Sequence, residues 1–76
     1  MGRIRINTKH FTQQEIRVVE STLKEWDYDW IVEIDYVKYD NEDKIDATFL
    51  LDEEDLGELL HVLYGCGYNG AFGKLD

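Results

Sequence analysis

The chain has 76 residues, a formal net charge of −9, 43% apolar residues, one cysteine and no proline. That length allows one small core burying roughly 60–65% of the unfolded chain's surface, and the apolar fraction is too high for a disordered chain. A lone cysteine excludes an internal disulfide, no apolar run approaches the ~20 residues of a membrane span, and residues 1–10 hold no apolar signal core; a single cytoplasmic domain over 1–76 is expected.

Arg3-Ile4-Arg5-Ile6-Asn7 alternates with period two. It predicts a short first strand with Ile4 and Ile6 toward the core and Arg3 and Arg5 on the outer sheet face. Phe11-Thr12-Gln13-Gln14-Glu15-Ile16 then has the form of a helix start. Thr12 and Glu15 fit a capping box, and Phe11 with Ile16 fit the hydrophobic staple around it. Ile16, Val19, Leu23 and Trp26 recur at helical spacing, so the helix is expected to end near Trp26. Asp27-Tyr28-Asp29 is a short acidic connection.

Residues 30–51 read as a β-hairpin. Trp30, Val32, Ile34 and Tyr36 form one face, and Ile31, Glu33, Asp35 and Val37 the other; Ile45, Ala47, Phe49 and Leu51 repeat the apolar face on the return strand, with Asp46, Thr48 and Leu50 opposite. With Asp40-Asn41-Glu42-Asp43 as a four-residue loop, Tyr39 faces Lys44. Val32 then faces Leu51, Ile34 faces Phe49, Tyr36 faces Ala47, Asp35 faces Thr48 and Val37 faces Asp46. Asp52 is the expected N-cap of a second helix, followed by Glu53-Glu54-Asp55 and a buried stripe of Leu56, Leu59, Leu60 and Leu63. Gly57 inside it costs about 1 kcal/mol relative to Ala and suggests close packing on the sheet. Gly65 and Gly67 stop the helix. Residues 68–76 read as a short last strand or a flexible tail. No internal repeat or low-complexity tract is evident.

The order β-α-β-β-α(-β) predicts an α+β two-layer sandwich. The expected topology is ferredoxin-like, a split βαβ antiparallel sheet with two helices on one face, which places Arg3 and Arg5 near Asp46.

Several motifs fail on context. Gly65-Cys66-Gly67-Tyr68-Asn69-Gly70 matches G-x-G-x-x-G, but the dinucleotide fingerprint needs a strand before and a helix after it, and here a helix precedes it near the end of the sequence. No cofactor is expected. An EF-hand loop starting at Asp40 needs Gly at 45 and Glu at 51, where the chain has Ile45 and Leu51. The Asp52–Asp55 acids are accounted for by a helix start, so no metal site is expected. His61 and Cys66 are poorly spaced for a nucleophile pair, and an enzyme is not expected.

Charge is the remaining signal. Residues 1–24 carry Arg3, Arg5, Lys9, Arg17 and Lys24 against Glu15 and Glu20; all other acids fall in 25–76 against Lys38, Lys44 and Lys74, with no Lys or Arg from Ile45 to Gly73. Such a field repels nucleic acid and attracts basic surfaces. Direct nucleic-acid binding through the sheet needs basic and aromatic residues where Glu33, Asp35 and Asp46 stand. The expected function is a small acidic binding protein that occludes a basic, nucleic-acid-binding surface of a larger protein. Candidate contacts are Glu33, Asp35, Asp40, Glu42, Asp43, Asp46, Glu53, Glu54 and Glu58, with Tyr39 as an anchor. In size, charge and architecture the chain resembles the small acidic inhibitors that phages make against host nucleases or CRISPR complexes, which implies nucleic-acid mimicry. The alternatives are a regulatory module dimerising through strand 30–39 and a small ligand- or metal-binding domain.

Overall fold

The computed structural model describes residues 2–68 and the backbone of 72–75. In order, the chain forms β1 (Arg3–Phe11), α1 (Gln13–Glu25), β2 (Ile31–Tyr39), β3 (Glu42–Asp52), α2 (Leu56–Gly65) and β4 (Phe72–Leu75), with a 3₁₀ turn, Glu53–Asp55, leading into α2. The strands pair antiparallel in the order β2-β3-β1-β4. The extents are 40 × 28 × 18 Å, and the thin axis has room for one helix layer on one sheet, an α+β architecture.

The first helix forms as its sequence predicts. The Thr12 hydroxyl accepts the Glu15 N–H at 3.1 Å and the Glu15 carboxylate accepts the Thr12 N–H at 2.8 Å, a complete capping box. Ile16, Val19 and Leu23 are buried. They meet Ile4, Ile6 and Phe11 of β1, Ile45, Ala47, Phe49 and Leu51 of β3, and Leu59, Val62 and Leu63 of α2 in one core. Trp26 caps the helix and is 42% exposed rather than buried.

β1 runs past Asn7, where the expected strand ended. Thr8 faces Ala47 and Phe11 faces Ile45, so Lys9 and His10 together oppose Asp46 alone. This bulge holds His10 at φ 67°. The extra residue resets the alternation: strict period two from Ile4 would turn Phe11 outward, and the bulge turns it into the core, where it is fully buried.

From Glu33 onward the hairpin faces agree with the sequence reading but the register does not, and at Ile31 and Val32 the two faces are exchanged. Asp40 and Asn41 have φ 51° and 68°, the two positive values of a two-residue type I′ turn. Tyr39 therefore faces Glu42, Tyr36 faces Ile45, Ile34 faces Ala47 and Asp35 faces Asp46. A four-residue loop would shift every pair by two, which leaves each residue on the same face and so escapes the period-two test. The primed turn wins because its twist matches that of the strands and because Asp and Asn tolerate the left-handed region. A second register shift lies between Ile31 and Glu33. It puts Ile31 opposite Phe49 and leaves Val32 unpaired and 49% exposed, where a buried partner for Leu51 was expected. Trp30 is buried, and its C=O accepts the Leu50 N–H at 2.7 Å. Tyr36 lies on the helix-side face of the outermost strand and is 78% exposed.

Asp52 does not cap the second helix. β3 continues through it, opposite Arg3, and it makes no side-chain cap bond. The three acids of the 3₁₀ turn instead sit at the positive end of the α2 dipole. Leu59, Val62 and Leu63 are buried, Leu56 and Leu60 half-buried, and Tyr64 exposed. A β-carbon added at Gly57 meets open space, so close packing does not explain that glycine. Both helices end in the Schellman manner. Tyr28 N–H reaches Leu23 C=O (2.8 Å) and Asp27 N–H reaches Lys24 C=O (3.2 Å); Tyr68 N–H reaches Leu63 C=O and Gly67 N–H reaches Tyr64 C=O, both at 3.1 Å. β4 pairs with β1 from Arg5–Leu75 to Thr8–Phe72. The tail expectation at 69–71 and 76 lies outside the described residues.

Candidate protein-binding face

The sheet has one covered face and one open one. Glu33, Asp35, Val37 and Tyr39 of β2 share the open face with Glu42, Lys44, Asp46, Thr48 and Leu50 of β3 and with Arg3, Arg5 and Asn7 of β1, by the alternation of the paired residues. Arg3 and Arg5 do not sit beside Asp46 as expected: they pair with Asp52 and Leu50, toward the other end of β3.

Asp46 is engaged instead by the bulge. Its carboxylate accepts the His10 N–H at 3.2 Å and the Tyr39 O–H at 2.7 Å, and the His10 and Tyr39 rings stack with centroids 4.0 Å apart. On the core side the Tyr68 hydroxyl donates to the Lys9 C=O at 2.8 Å and accepts the Lys9 N–H at 3.2 Å, while its ring stacks on Phe11. The bulge is thus pinned from both faces. The hydrogen bond to Asp46 raises the Tyr39 phenol above its ordinary value, aided by burial and by the Asp46 charge. Burial raises the Tyr68 phenol in turn. Nothing in the sequence near Asp46 points to His10 or Tyr68; the only trace is the broken alternation between Thr8 and Phe11.

The expected acidic set divides into two groups. Glu33, Asp35, Glu42 and Asp46 lie on the open face and Asp40 in the adjoining turn. Asp43 falls on the helix side, where it pairs with Lys38 at 3.6 Å; both side chains are largely exposed. Glu53 and Glu54 lie in the 3₁₀ turn and Glu58 in α2, roughly 30 Å from the hairpin turn along β3. One compact partner patch cannot hold both groups at close range.

Among the described residues, Lys38–Asp43 is the only ion pair. Asp35 and Asp46 oppose each other directly across β2 and β3, an arrangement that costs a few tenths to about 1 kcal/mol. Buried polar groups are satisfied by contrast: the Thr8 hydroxyl donates to Ala47 C=O at 2.9 Å, and Thr48 accepts from Asn7 at 3.2 Å.

Other candidates lack convergence. Cys66 donates to Leu63 C=O at 3.0 Å, and burial pushes its thiol up, opposite to an activated nucleophile. His61 is exposed on α2. Gly67 has φ +89° and ends a helix, the Schellman role rather than a phosphate cradle; Asn69 and Gly70 of that motif lie outside the described residues. Among the described residues no three His, Cys, Asp or Glu side chains cluster as metal ligands, and no helix is long and apolar enough to cross a membrane. Compared with known protein families and with curated protein sequences, the chain matches none.

Proposed function

We propose that this chain is a small, non-enzymatic acidic binding protein that covers a basic, nucleic-acid-binding surface of a larger protein. The observation that carries this reading is the Asp35–Asp46 opposition within a row of carboxylates that makes no ion pair among the described residues. A cation brought by a partner would relieve that repulsion, so the face gains by association what it loses in isolation. Carboxylates spaced along a rigid strand also imitate a phosphate row, which supports a mimic inhibitor of the kind phages make. The order β2-β3-β1-β4, interleaved with two helices, supports a ferredoxin-like, split βαβ topology as the frame for this face.

The test is capture from lysate on the immobilised protein, with elution first by rising salt and then by duplex DNA or RNA. The reading expects basic nucleic-acid-binding proteins that nucleic acid displaces. Retained proteins that nucleic acid leaves in place contradict occlusion. A second reading, homodimerisation through residues 30–39, is favoured by the position of β2 at the sheet edge, and a salt-insensitive dimer on sizing would support it.

A further inference from the structure

β2 is the outermost strand of the sheet, nine residues long, and no element among the described residues covers its free edge. The type I′ turn closes on the Tyr39–Glu42 pair as a hydrogen-bonded pair. Antiparallel alternation then turns the N–H and C=O groups of Ile34, Tyr36 and Lys38 away from β3, toward solvent. Such an edge is a template for one more strand.

The side chains along the edge specify what that strand carries. On the open face it meets Glu33 and Asp35, both exposed and without an ion pair among the described residues. On the helix side it passes two depressions. One of about 260 Å³ is lined by Leu23, Tyr28 and Ile31, with Glu20, Lys24 and Asp29 at its rim. The other, of about 450 Å³, is lined by Tyr36, Val37 and Ile45, with Gln13, Lys38, Asp43 and Lys44 around them. Tyr36 stands beside the second, largely exposed.

We propose that the free edge of β2 takes up an extended segment of the partner as a fifth strand, and that the segment alternates basic with apolar residues. Its basic residues lie over Glu33 and Asp35, and its apolar residues drop into the two helix-side depressions. This rests on the binding reading above and deepens it, from a charged surface to strand addition. Main-chain hydrogen bonds then supply affinity, and the alternate side chains supply selection.

Two features of the molecule argue for this occupant over a second copy. A copy brings the same net charge of −9 and its own Glu33 and Asp35 to the same edge. The chain also already holds a strand of the specified pattern in its own sheet. Arg3-Ile4-Arg5-Ile6 in β1 lies antiparallel to β3, with Arg3 opposite Asp52 and with Ile4 and Ile6 buried. The basic-apolar alternation required of the partner is therefore one that this sheet accommodates.

The experiment titrates the full chain with three blocked-end peptides: one alternating Lys and Val, one of the same composition with the Lys and Val residues in separate blocks, and the alternating peptide N-methylated along the edge that would face β2. Affinity is read by calorimetry and contacts by backbone amide shifts. Strand addition expects the alternating peptide to bind and to move the amides of Ile34, Tyr36 and Lys38. It also expects N-methylation to weaken binding by roughly tenfold or more, the loss of one to two net hydrogen bonds, and block order to weaken it as well, because the side chains no longer alternate between the two faces. Equal binding of all three peptides overturns strand addition and leaves the acidic-face reading in place. No binding of any cationic peptide, even at low salt, overturns both. Tyr36→Pro removes one outward N–H at a position where an edge strand tolerates proline; a variant that folds and binds the alternating peptide undiminished also overturns the proposal.

Discussion

In the first half of the chain α1 begins at Thr12, whose hydroxyl and the Glu15 carboxylate satisfy each other's backbone N–H groups; in the second half α2 begins behind three acids with no side-chain cap at all. The halves otherwise follow one plan. Phe11 and Leu51, Ile16 and Leu56, Val19 and Leu59, Leu23 and Leu63, and Tyr28 and Tyr68 fall at one constant spacing, and both helices end with the same pair of bonds. Only Leu23 with Leu63 and Tyr28 with Tyr68 are identical in that set, so identity is too sparse to announce a correspondence that the helix ends make plain. At the C-terminal end Gly67 takes the left-handed position in one half and Asp27 takes it in the other, at φ 60°. Asp27 tolerates that conformation less well than glycine, and its charge stands at the negative end of a helix dipole. Asp35 against Asp46 is a second such case. The difference is that some acids support the fold, as Glu15 does in its capping box and Asp46 does at the bulge, whereas Asp27 and Asp35 stand where the fold gains nothing from their charge.

The largest expected effects test the shared plan. Leu23→Ala and Leu63→Ala, both at buried, equivalent positions, should each cost about 2–5 kcal/mol in denaturant melts, and Phe49→Ala about 3–5 kcal/mol. A loss below about 1 kcal/mol at either leucine would break the equivalence. At the helix starts, Thr12→Ala should cost about 1 kcal/mol whereas Asp52→Ala should cost a few tenths at most; comparable losses would mean that the second helix carries a cap after all. At the helix ends the signs should oppose: Gly67→Ala destabilises by about 1 kcal/mol and Asp27→Gly stabilises by up to about 1 kcal/mol. Gly57→Ala, with open space around the new carbon, should stabilise by up to about 1 kcal/mol.

A smaller effect is read by alkaline titration. The Tyr39 phenol, held protonated by Asp46, should ionise above the ordinary tyrosine value and fall back toward it in Asp46→Asn. A raised value in the folded state means that its contribution to stability is complete below the unfolded value near 10 and is lost as pH rises through the folded one. An unchanged titration in Asp46→Asn would remove that bond from the description of the bulge.

Much of this was legible from pattern. The capping box, the buried stripe of α1 and the hairpin faces from Glu33 onward follow from period and cap chemistry, because each is local, and the two-layer architecture follows from the order of those elements. What escaped was set by backbone positions that shift pairing without changing composition. Asp40-Asn41 in a two-residue turn moves every hairpin pair by two residues while preserving faces. The bulges at Lys9–His10 and at Val32 break alternation at residues with no glycine to announce them. The acidic residues of the candidate face were legible one by one, but their division into two remote groups follows from the length of β3, and the capture of Asp46 by the His10 N–H follows from the bulge in β1. For that reason Asp46 is a poor position for a binding test, since its reversal disturbs the bulge, whereas Glu33 and Asp35 make no such contacts.

The most direct test of whether the acidic row is kept at a cost to folding is the thermal unfolding of Asp35→Lys at low salt. The account predicts a rise in Tm of roughly 2–4 °C, because about 0.5 kcal/mol of repulsion from Asp46 is exchanged for attraction. A fall in Tm would show that Asp35 serves the fold, and would contradict the claim that this face is held ready for a basic partner.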